Sequence, residues 1–275
     1  PDFNYPLSKK IRKYKNNSKI IHFVAPTVWA WRPSRAKKFA KVFDEIFTLF
    51  SFENEYFEKY NLKATCIGHP IYYINNCSHI NLRKDNIAFL PGSRIGEINS
   101  LFMFYQLAYE QLVKKDLNLQ IFIPTLPHLE NEILNKIKLW KIKTIVTTDK
   151  NVIENYFLKT KFALVCSGTA SLEIAKRGIP QLVIYKLNYF TEIIVKFFIK
   201  IKFANIINII ENKMIIPEIT NSRLKKNSFL KKFNDLLFNQ KLNDIQIREV
   251  NKVISKIVKS RPPFEIAAEE IKKFF

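Results

Sequence analysis

Short runs of β-branched and aromatic residues alternate, up to residue 184, with longer segments whose apolar positions recur at helical spacing. This alternation predicts βαβ units on a parallel sheet, and therefore an α/β fold. The predicted strands are 19–25, 45–50, 64–67, 86–90, 120–123, 144–146, 162–165 and 181–184. The predicted helices between them are 34–42, 100–114, 129–139, 151–158 and 170–176.

A polar segment rich in Asn, at 72–85, separates the first βα series from a second that starts at Asn86. Such a segment predicts a linker, and we expect one domain over 1–80 and a second over 81–258. Beyond Pro217 the pattern predicts helices, at 230–237 and 245–258. A last amphipathic helix, within 259–275, is expected to return and pack on the first domain.

Composition narrows the class of protein. A chain of 275 residues with 47% hydrophobic residues can bury a large core, which argues against general disorder. The three cysteines, Cys66, Cys77 and Cys166, are far apart and odd in number, so they indicate neither a disulfide framework nor a structural zinc site. This cysteine usage favours a reducing cytosol.

The net charge of +21 attracts anions, and it admits nucleic acid, an anionic membrane surface or a phosphorylated substrate as partner. The basic residues are spread along the chain without a nucleic-acid-binding motif, so we expect no nucleic-acid partner. Lys, Asn and Ile are over-used throughout, and general composition bias explains the charge equally well.

Segment 191–203 bears on membrane association. Phe197 and Phe198 recur with other apolar residues at helical spacing, and Lys200 is one of the lysines interleaved with them. The pattern indicates either a helix lying in a membrane interface or a buried core helix. The lysines are too many for a transmembrane span of about 20 residues. The chain starts with Pro1 and without a signal peptide, so we expect it to begin in mid-protein.

Only five glycines occur, so each is expected to serve a backbone need. Gly92 follows strand 86–90 in a tight loop with Ser93 and Arg94, where backbone N–H groups and a guanidinium can hold an anion. The loop predicts a phosphate-binding site, with an ordinary turn carrying a solvated arginine as the alternative.

Ser167, Gly168 and Thr169 follow strand 162–165 at a predicted helix start, where unpaired N–H groups and the helix dipole favour a diphosphate. Glu173 lies one turn further, where a carboxylate can accept the hydroxyls of a ribose. The alternative is a helix capped by Ser167 or Thr169 and stabilised by Glu173. Gly178 is expected to end this helix in a left-handed conformation.

Trp29, Trp31 and Arg32 stand on the loop after strand 19–25, and the tryptophans indicate either buried core or a wall that faces an acceptor substrate. His69 follows strand 64–67 and is expected to touch substrate or to hold the linker. Asn208 is one of several polar residues in an otherwise apolar segment. This placement indicates either hydrogen bonds to a ligand or simply the polar character of a loop.

Five blocks of the chain resemble the lipid-A-disaccharide synthase family, in order and from end to end. They are PTVWAWRP at 26–33, FE at 52–53 with YF at 56–57, GHP at 68–70, LPGSR at 90–94 and SGTASLE at 167–173. The tryptophan block is the most specific. The resemblance implies a GT-B fold of two Rossmann-like domains, with an acceptor domain over 1–80 that lacks its N-terminal part and a UDP-sugar domain over 81–258.

The resemblance also implies an inverting, metal-independent glycosyltransferase of lipid A biosynthesis that needs no cofactor. It would join UDP-2,3-diacylglucosamine to 2,3-diacylglucosamine 1-phosphate and release UDP and the disaccharide 1-phosphate. The enzyme would be cytoplasmic and peripheral on the anionic surface of a Gram-negative inner membrane.

By position, the donor contacts fall on two loops and one later helix: Gly92, Ser93, Arg94, Ser167, Gly168, Thr169, Glu173 and Asn208. The residues expected on the acceptor or membrane side are Trp29, Trp31, Arg32, His69, Phe197, Phe198 and Lys200. The acidic residue proposed as the base lies upstream of Pro1, so no catalytic residue is assigned and we expect inefficient catalysis by this chain alone.

Two other functions stay open at this point. Another UDP-sugar transferase or an epimerase of the same fold would share the diphosphate site but not the tryptophan block. A non-catalytic remnant would bind UDP or membrane without turnover.

Overall fold

The computed structural model describes residues 3–14, 17–30, 32–74, 85–115, 117, 119–166, 168–186, 202–220 and 224–275. These residues form two compact units, each with its own parallel sheet. The described part of the first unit is 3–73 and Ser255–Phe275, and that of the second unit lies between Ile74 and Ile254. The predicted boundary between residues 80 and 81 lies outside the described residues and stays a prediction.

Three parallel strands form the sheet of the first unit, in the order β1-β2-β3. They are β1 Ile21–Phe23, β2 Glu45–Thr48 and β3 Lys63–Cys66. The helices among them are α1 Asn4–Tyr14, α2 Ser34–Phe39 and α3 Glu55–Glu58, with 3-10 turns at Ser51–Glu53 and Pro70–Tyr73. Phe39 of α2 packs with Phe43 and Ile46 because the apolar face of this amphipathic helix covers the sheet.

Six parallel strands form the sheet of the second unit, in the order β6-β5-β4-β7-β8-β9. They are β4 Asn86–Leu90, β5 Gln120–Pro124, β6 Thr144–Thr147, β7 Thr160–Cys166, β8 Gln181–Tyr185 and β9 Glu218–Thr220. The helices are α4 Ile95–Lys114, α5 Glu130–Ile137, α6 Lys150–Leu158, α7 Thr169–Lys176, α8 Ile206–Glu211, α9 Lys226–Phe238 and α10 Gln240–Ile257, within which the division between the units falls. This strand order is that of a doubly wound, nucleotide-binding sheet.

The central strands of the second unit are apolar along nearly their whole length. Every residue of β4 and residues 162–166 of β7 are buried. Phe104 and Ala108 of α4 and Phe229 and Phe233 of α9 belong to the same core. Strands covered on both faces need continuous apolar runs, which is why the sequence pattern identified them.

The C-terminal helix, α11 Pro263–Lys272, packs on the first unit, and this confirms the predicted return. Ala267 is buried with Phe47 of β2 and Ile67. The ring of Phe264 stacks on that of Phe23, with 6.3 Å between centroids. The chain beyond α10 therefore completes the core of the first unit.

Four described elements were absent from the sequence predictions, namely β9, α1, α3 and α8. β9 follows Pro217, where the pattern predicted helix, and it pairs in parallel with β8. A strand of three residues is too short for alternation of apolar and polar residues to reveal it. Helix α1 is amphipathic but buries no residue, whereas α3 and α8, of four and six residues, are too short to show the extended apolar face on which the helix predictions rested.

Within the described ranges, no helix combines the length and apolarity that a crossing of the bilayer requires.

Candidate functional site

The strand order of the second unit creates a switch point between β4 and β7. From β4 the chain continues to β5 on one side of the sheet, and from β7 to β8 on the other. The loops beyond the carboxyl ends of two such strands turn apart, and doubly wound sheets bind ligands in the crevice between them. The predicted donor residues 92–94 and 167–169 follow these two strands directly.

Glu97 closes the loop after β4. Its Oε2 accepts a hydrogen bond from the Ser93 N–H at 3.1 Å, and its Oε1 accepts one from Arg94 Nη1 at 2.6 Å. Gly92 has a φ of +118°, and a Cβ there would lie 2.7 Å from Glu97 Oε2, so the position requires glycine. The N–H and guanidinium donors of this loop therefore converge on one carboxylate.

The loop after β7 leads into α7 through Gly168. Gly168 is the N-cap residue, with a φ of +142°, and as a glycine it has no side chain with which to cap the helix. The N–H groups of a first helical turn lack intrahelical acceptors, and Thr169 and Ala170 of this turn line a cleft. Gly178 ends the helix with a φ of +68°, which confirms the predicted left-handed conformation.

A cleft of about 500 Å³ lies beyond the carboxyl ends of β4, β5 and β7. The predicted residues that line it are Gly92, Ser93, Arg94, Gly168, Thr169 and Glu173. Pro124, Thr125 and Leu126 form a further part of the wall, and Ile153 and Phe157 of α6 form another. Ligand sites of this size take small molecules and commonly combine an apolar wall with a few polar groups.

Charged groups of both signs line the cleft. Arg94 is accompanied by Glu97 and Glu173, so the net charge of +21 is not concentrated in these lining residues. Burial and the nearby Glu97 carboxylate raise the pKa of the Cys166 thiol to about 12, so this thiol stays protonated. Anion binding in the cleft would rest on Arg94 and on the dipoles of backbone N–H groups.

Asn208 lies apart from the other predicted donor residues, outside the lining of the cleft. Its Oδ1 accepts from the N–H groups of Ile215 and Ile216 at 2.8 and 2.9 Å. Its Nδ2 donates to the Ile216 carbonyl at 2.7 Å and to Glu218 Oε2 at 3.2 Å. The side chain is fully buried, and its four hydrogen-bonding positions are all used within the protein.

In the first unit, Glu53 organises the loops after β1 and β2. Its Oε1 accepts from Trp29 Nε1 at 2.9 Å, and its Oε2 accepts from the N–H groups of Leu49 and Phe50 at 3.0 Å each. Burial raises the pKa of Glu53 although these hydrogen bonds oppose the shift. Trp29 is half-buried and meets Phe52 edge-on, with 5.5 Å between ring centroids.

His69 joins the same aromatic group. Its ring stacks on Phe50 at 5.6 Å, and Phe50 stacks on Phe52 at 5.8 Å. Its Nδ1 accepts from the Ile71 N–H at 3.0 Å, and burial lowers the pKa of the imidazole. Arg32 adopts a left-handed backbone conformation, with a φ of +55°. The residues predicted for the sites that lie outside the described ranges are Trp31, Ser167, Phe197, Phe198 and Lys200.

Sequence reasoning missed several residues of the cleft and a buried residue that contacts one of its walls. Thr125 and Phe157 are among the lining residues that were missed, and Arg177 donates to the lining residue Glu173 from the same helix, α7. Thr125 stands two residues after the predicted strand 120–123, and this position at the carboxyl end of a strand is a signal for it. Arg177 stands four residues after Glu173, a spacing at which acidic and basic side chains meet on a helix.

The profile of the family described as lipid-A-disaccharide synthetase matches residues 1–265. The lipid-A-disaccharide synthase of Rickettsia typhi is 36% identical over 289 residues, which cover 100% of this chain and 75% of the relative. That of Rickettsia canadensis is 35% identical over 289 residues, covering 100% of this chain and 74% of the relative.

Solved structures resemble the chain at much lower identity. MurG of Acinetobacter baumannii has a TM-score of 0.56 at 12% identity and is matched over 92% of this chain and 69% of its own. OtsA has a TM-score of 0.54 at 12% identity, over 98% of this chain and 70% of its own. These likenesses show the fold alone, and they confirm the predicted GT-B class of two Rossmann-like domains.

Proposed function

Because this chain belongs to the lipid-A-disaccharide synthase family, we propose that the cleft between β4 and β7 binds the uridine diphosphate of its sugar donor. The diphosphate lies between the loop of Gly92, Ser93 and Arg94 and the start of α7. The Glu173 carboxylate accepts the ribose hydroxyls. The observation that carries this proposal is the convergence of these residues on one cleft at the switch point.

The reaction is the transfer of a diacylglucosamine residue with inversion. The donor is UDP-2,3-diacylglucosamine and the acceptor is 2,3-diacylglucosamine 1-phosphate. The acceptor 6-hydroxyl oxygen forms the new bond to the anomeric carbon as a general base takes the hydroxyl proton, and the bond from that carbon to the UDP oxygen breaks so that UDP leaves. Arg94 and the N–H groups of the first turn of α7 stabilise the charge that develops on the departing UDP.

The first unit supplies the acceptor side in this proposal. Trp29 and His69 belong to one aromatic group, through Phe50 and Phe52, and Glu53 fixes the Trp29 ring by a hydrogen bond of 2.9 Å. Both substrates carry acyl chains that reside in a bilayer, so the enzyme works on a membrane surface. The net charge of +21 favours an anionic surface for that contact.

Calorimetric titration with UDP tests the donor site. We expect Arg94→Ala and Glu173→Ala each to weaken UDP binding by about 3- to 10-fold, because each removes a charge-assisted hydrogen bond. Lys143→Ala is the control, since Lys143 is a basic residue outside the cleft lining and should leave the affinity unchanged. Unchanged affinity in both cleft variants of a folded chain would remove the proposed site.

A single-turnover assay for disaccharide formation tests the reaction. The assay uses the two acylated glucosamines in vesicles of phosphatidylglycerol and, in parallel, of phosphatidylcholine. We expect faster product formation on the anionic vesicles and a loss of that advantage at high salt. UDP binding without any disaccharide in either vesicle would support the donor site and contradict the proposed turnover.

A further inference from the structure

Arg177 is a buried residue outside the cleft lining, and it contacts the lining residue Glu173. Its Nη2 donates to Glu173 Oε1 at 3.0 Å. Its Nη1 and Nη2 also donate to the two oxygens of Glu154, at 2.5 and 2.6 Å. Arg177 is only 2% exposed and is absent from the cleft lining, whereas Glu173 is in that lining. The guanidinium thus joins a carboxylate on α6 to the one that faces the cleft.

The surroundings of Arg177 hold the guanidinium in one orientation. The central carbon of the guanidinium lies 4.5 Å from the ring centroid of Phe157, and Phe157 is one of the residues that line the cleft. The two hydrogen bonds to Glu154 fix the plane of the guanidinium because they are parallel and bidentate. Burial alone would lower the pKa of Arg177, but the carboxylates of Glu154 and Glu173 raise it, so the residue remains a cation.

Fold stability explains this arrangement poorly. The buried Nε of Arg177 has no hydrogen-bond partner among the described residues, which is a cost that an apolar side chain at this position would avoid. Replacement of a buried ion pair by well-packed apolar residues is often neutral or stabilising. A buried arginine with an unpaired N–H group therefore calls for a role beyond packing.

We infer that Arg177 is a positioning residue that orients the Glu173 carboxylate toward the ribose of the donor. This inference rests on the proposed function. Arg177 engages Oε1, and Oε2 makes no hydrogen bond to a described residue, so Oε2 remains available to the ribose hydroxyls. The positive charge also offsets the repulsion between Glu173 and the diphosphate bound beside it.

The orientation of Glu173 by Arg177 can be tested by comparing the binding of UDP with that of a nucleotide that lacks the ribose hydroxyls. The ratio of dissociation constants for 2′,3′-dideoxy-UDP and UDP measures the ribose contact, whereas the diphosphate contacts are common to both. We expect a ratio of about 10 in the unaltered chain and of about 1 to 2 in Glu173→Gln. Arg177→Met should lower the ratio by about 3- to 5-fold, and Arg177→Lys by less, because lysine keeps the charge but not the fork.

One variant tests the path through Glu154, and a second separates positioning from folding. Glu154→Gln loses the carboxylate that fixes the guanidinium plane, so it should lower thermal stability and lower the ratio by less than Arg177→Met does, because the contact of Arg177 with Glu173 remains. Arg12→Met, the control, removes the comparable contact of Arg12 with Asp44 in the first unit and should leave the ratio unchanged. If Arg177→Met does not fold, Arg177→Lys carries the test.

The outcomes distinguish this inference from the proposed function. A folded Arg177→Met or Arg177→Lys chain that keeps the full ratio, while Glu173→Gln loses it, overturns the positioning role and leaves the donor site intact. A ratio near 1 in the unaltered chain, with UDP still bound, overturns the ribose contact of Glu173 and the inference with it. Failure of UDP to bind overturns the proposed function itself.

Discussion

At the scale of single residues, Asn208 is a position where a ligand contact and a structural role can be told apart. Its sequence context allowed both, and the family resemblance implied a donor contact. In the structure its carboxamide connects α8 to the segment before β9 and to Glu218, whose carboxylate also accepts from the N–H groups of Ala204 and Asn205 at 2.9 and 2.8 Å. A ligand could bind Asn208 only by replacing one of these internal hydrogen bonds.

We therefore expect Asn208→Ala to act on stability. The N–H groups of Ile215 and Ile216 and the Glu218 carboxylate would lose a partner, which should lower the free energy of unfolding by about 2 to 4 kcal/mol in urea denaturation. UDP affinity of the folded variant should change by less than about 2-fold. Asn131→Ala, at an exposed position on α5, is the matched control and should change neither quantity appreciably.

The opposite pattern would restore the donor contact. A folded Asn208→Ala chain with unaltered stability and UDP affinity about 10-fold weaker would assign Asn208 to the ligand after all.

Residue types at the cleft were predictable, but their partners were not. Gly92, Arg94 and Glu173 stood out because few glycines occur and because each follows a strand or a helix start. The contacts of Arg94 with Glu97 and of Glu173 with Arg177 depend on side-chain rotamers and on the packing of α6. Those contacts follow from the folded structure and not from spacing alone.

At the scale of elements, the loop between β4 and α4 offers a matched pair of glycines. Gly92 has a φ of +118° and no room for a Cβ beside Glu97. Gly96 lies in the first turn of α4, and a Cβ added there would meet no neighbouring atom of the described residues within 4 Å. One glycine thus serves the conformation of the loop, and the other has no such need.

We expect Gly92→Ala to distort the loop and weaken UDP binding by about 5-fold or more, since the donors of Ser93 and Arg94 would move. Gly96→Ala should raise the free energy of unfolding by about 0.5 to 1 kcal/mol and leave UDP affinity unchanged. Calorimetry and urea denaturation of both variants check this. Equal UDP affinities in the two folded variants would contradict the role assigned to the loop.

The central strands β4 and β7 were found from sequence because they are apolar along most of their length. β4 was predicted with the bounds that it has, Asn86–Leu90, because its apolar run stops at Pro91 and Gly92. β1 is shorter than the predicted segment 19–25, and β9 was missed because an edge strand of three residues carries too little pattern. Strand length at the margin of a sheet is decided by tertiary pairing, which local sequence does not encode.

At the scale of the whole molecule, the α/β class and the return of the C-terminal helix were predictable from the order of elements. The segment from Pro263 to Lys272 packs against Phe47 and Ile67, far away in sequence, and an amphipathic pattern after a Pro-Pro pair was enough to suggest it. The net charge of +21 was less informative, because the described cleft lining carries charges of both signs.

In the proposed complex, uridine diphosphate lies between the loop after β4 and the start of α7. A crystal structure of the chain with UDP is the direct test of this placement. We expect the diphosphate beside Arg94 and the N–H groups of Thr169 and Ala170, with the ribose hydroxyls on Glu173. UDP bound elsewhere, or a cleft that stays empty while calorimetry in solution shows UDP bound, would contradict it.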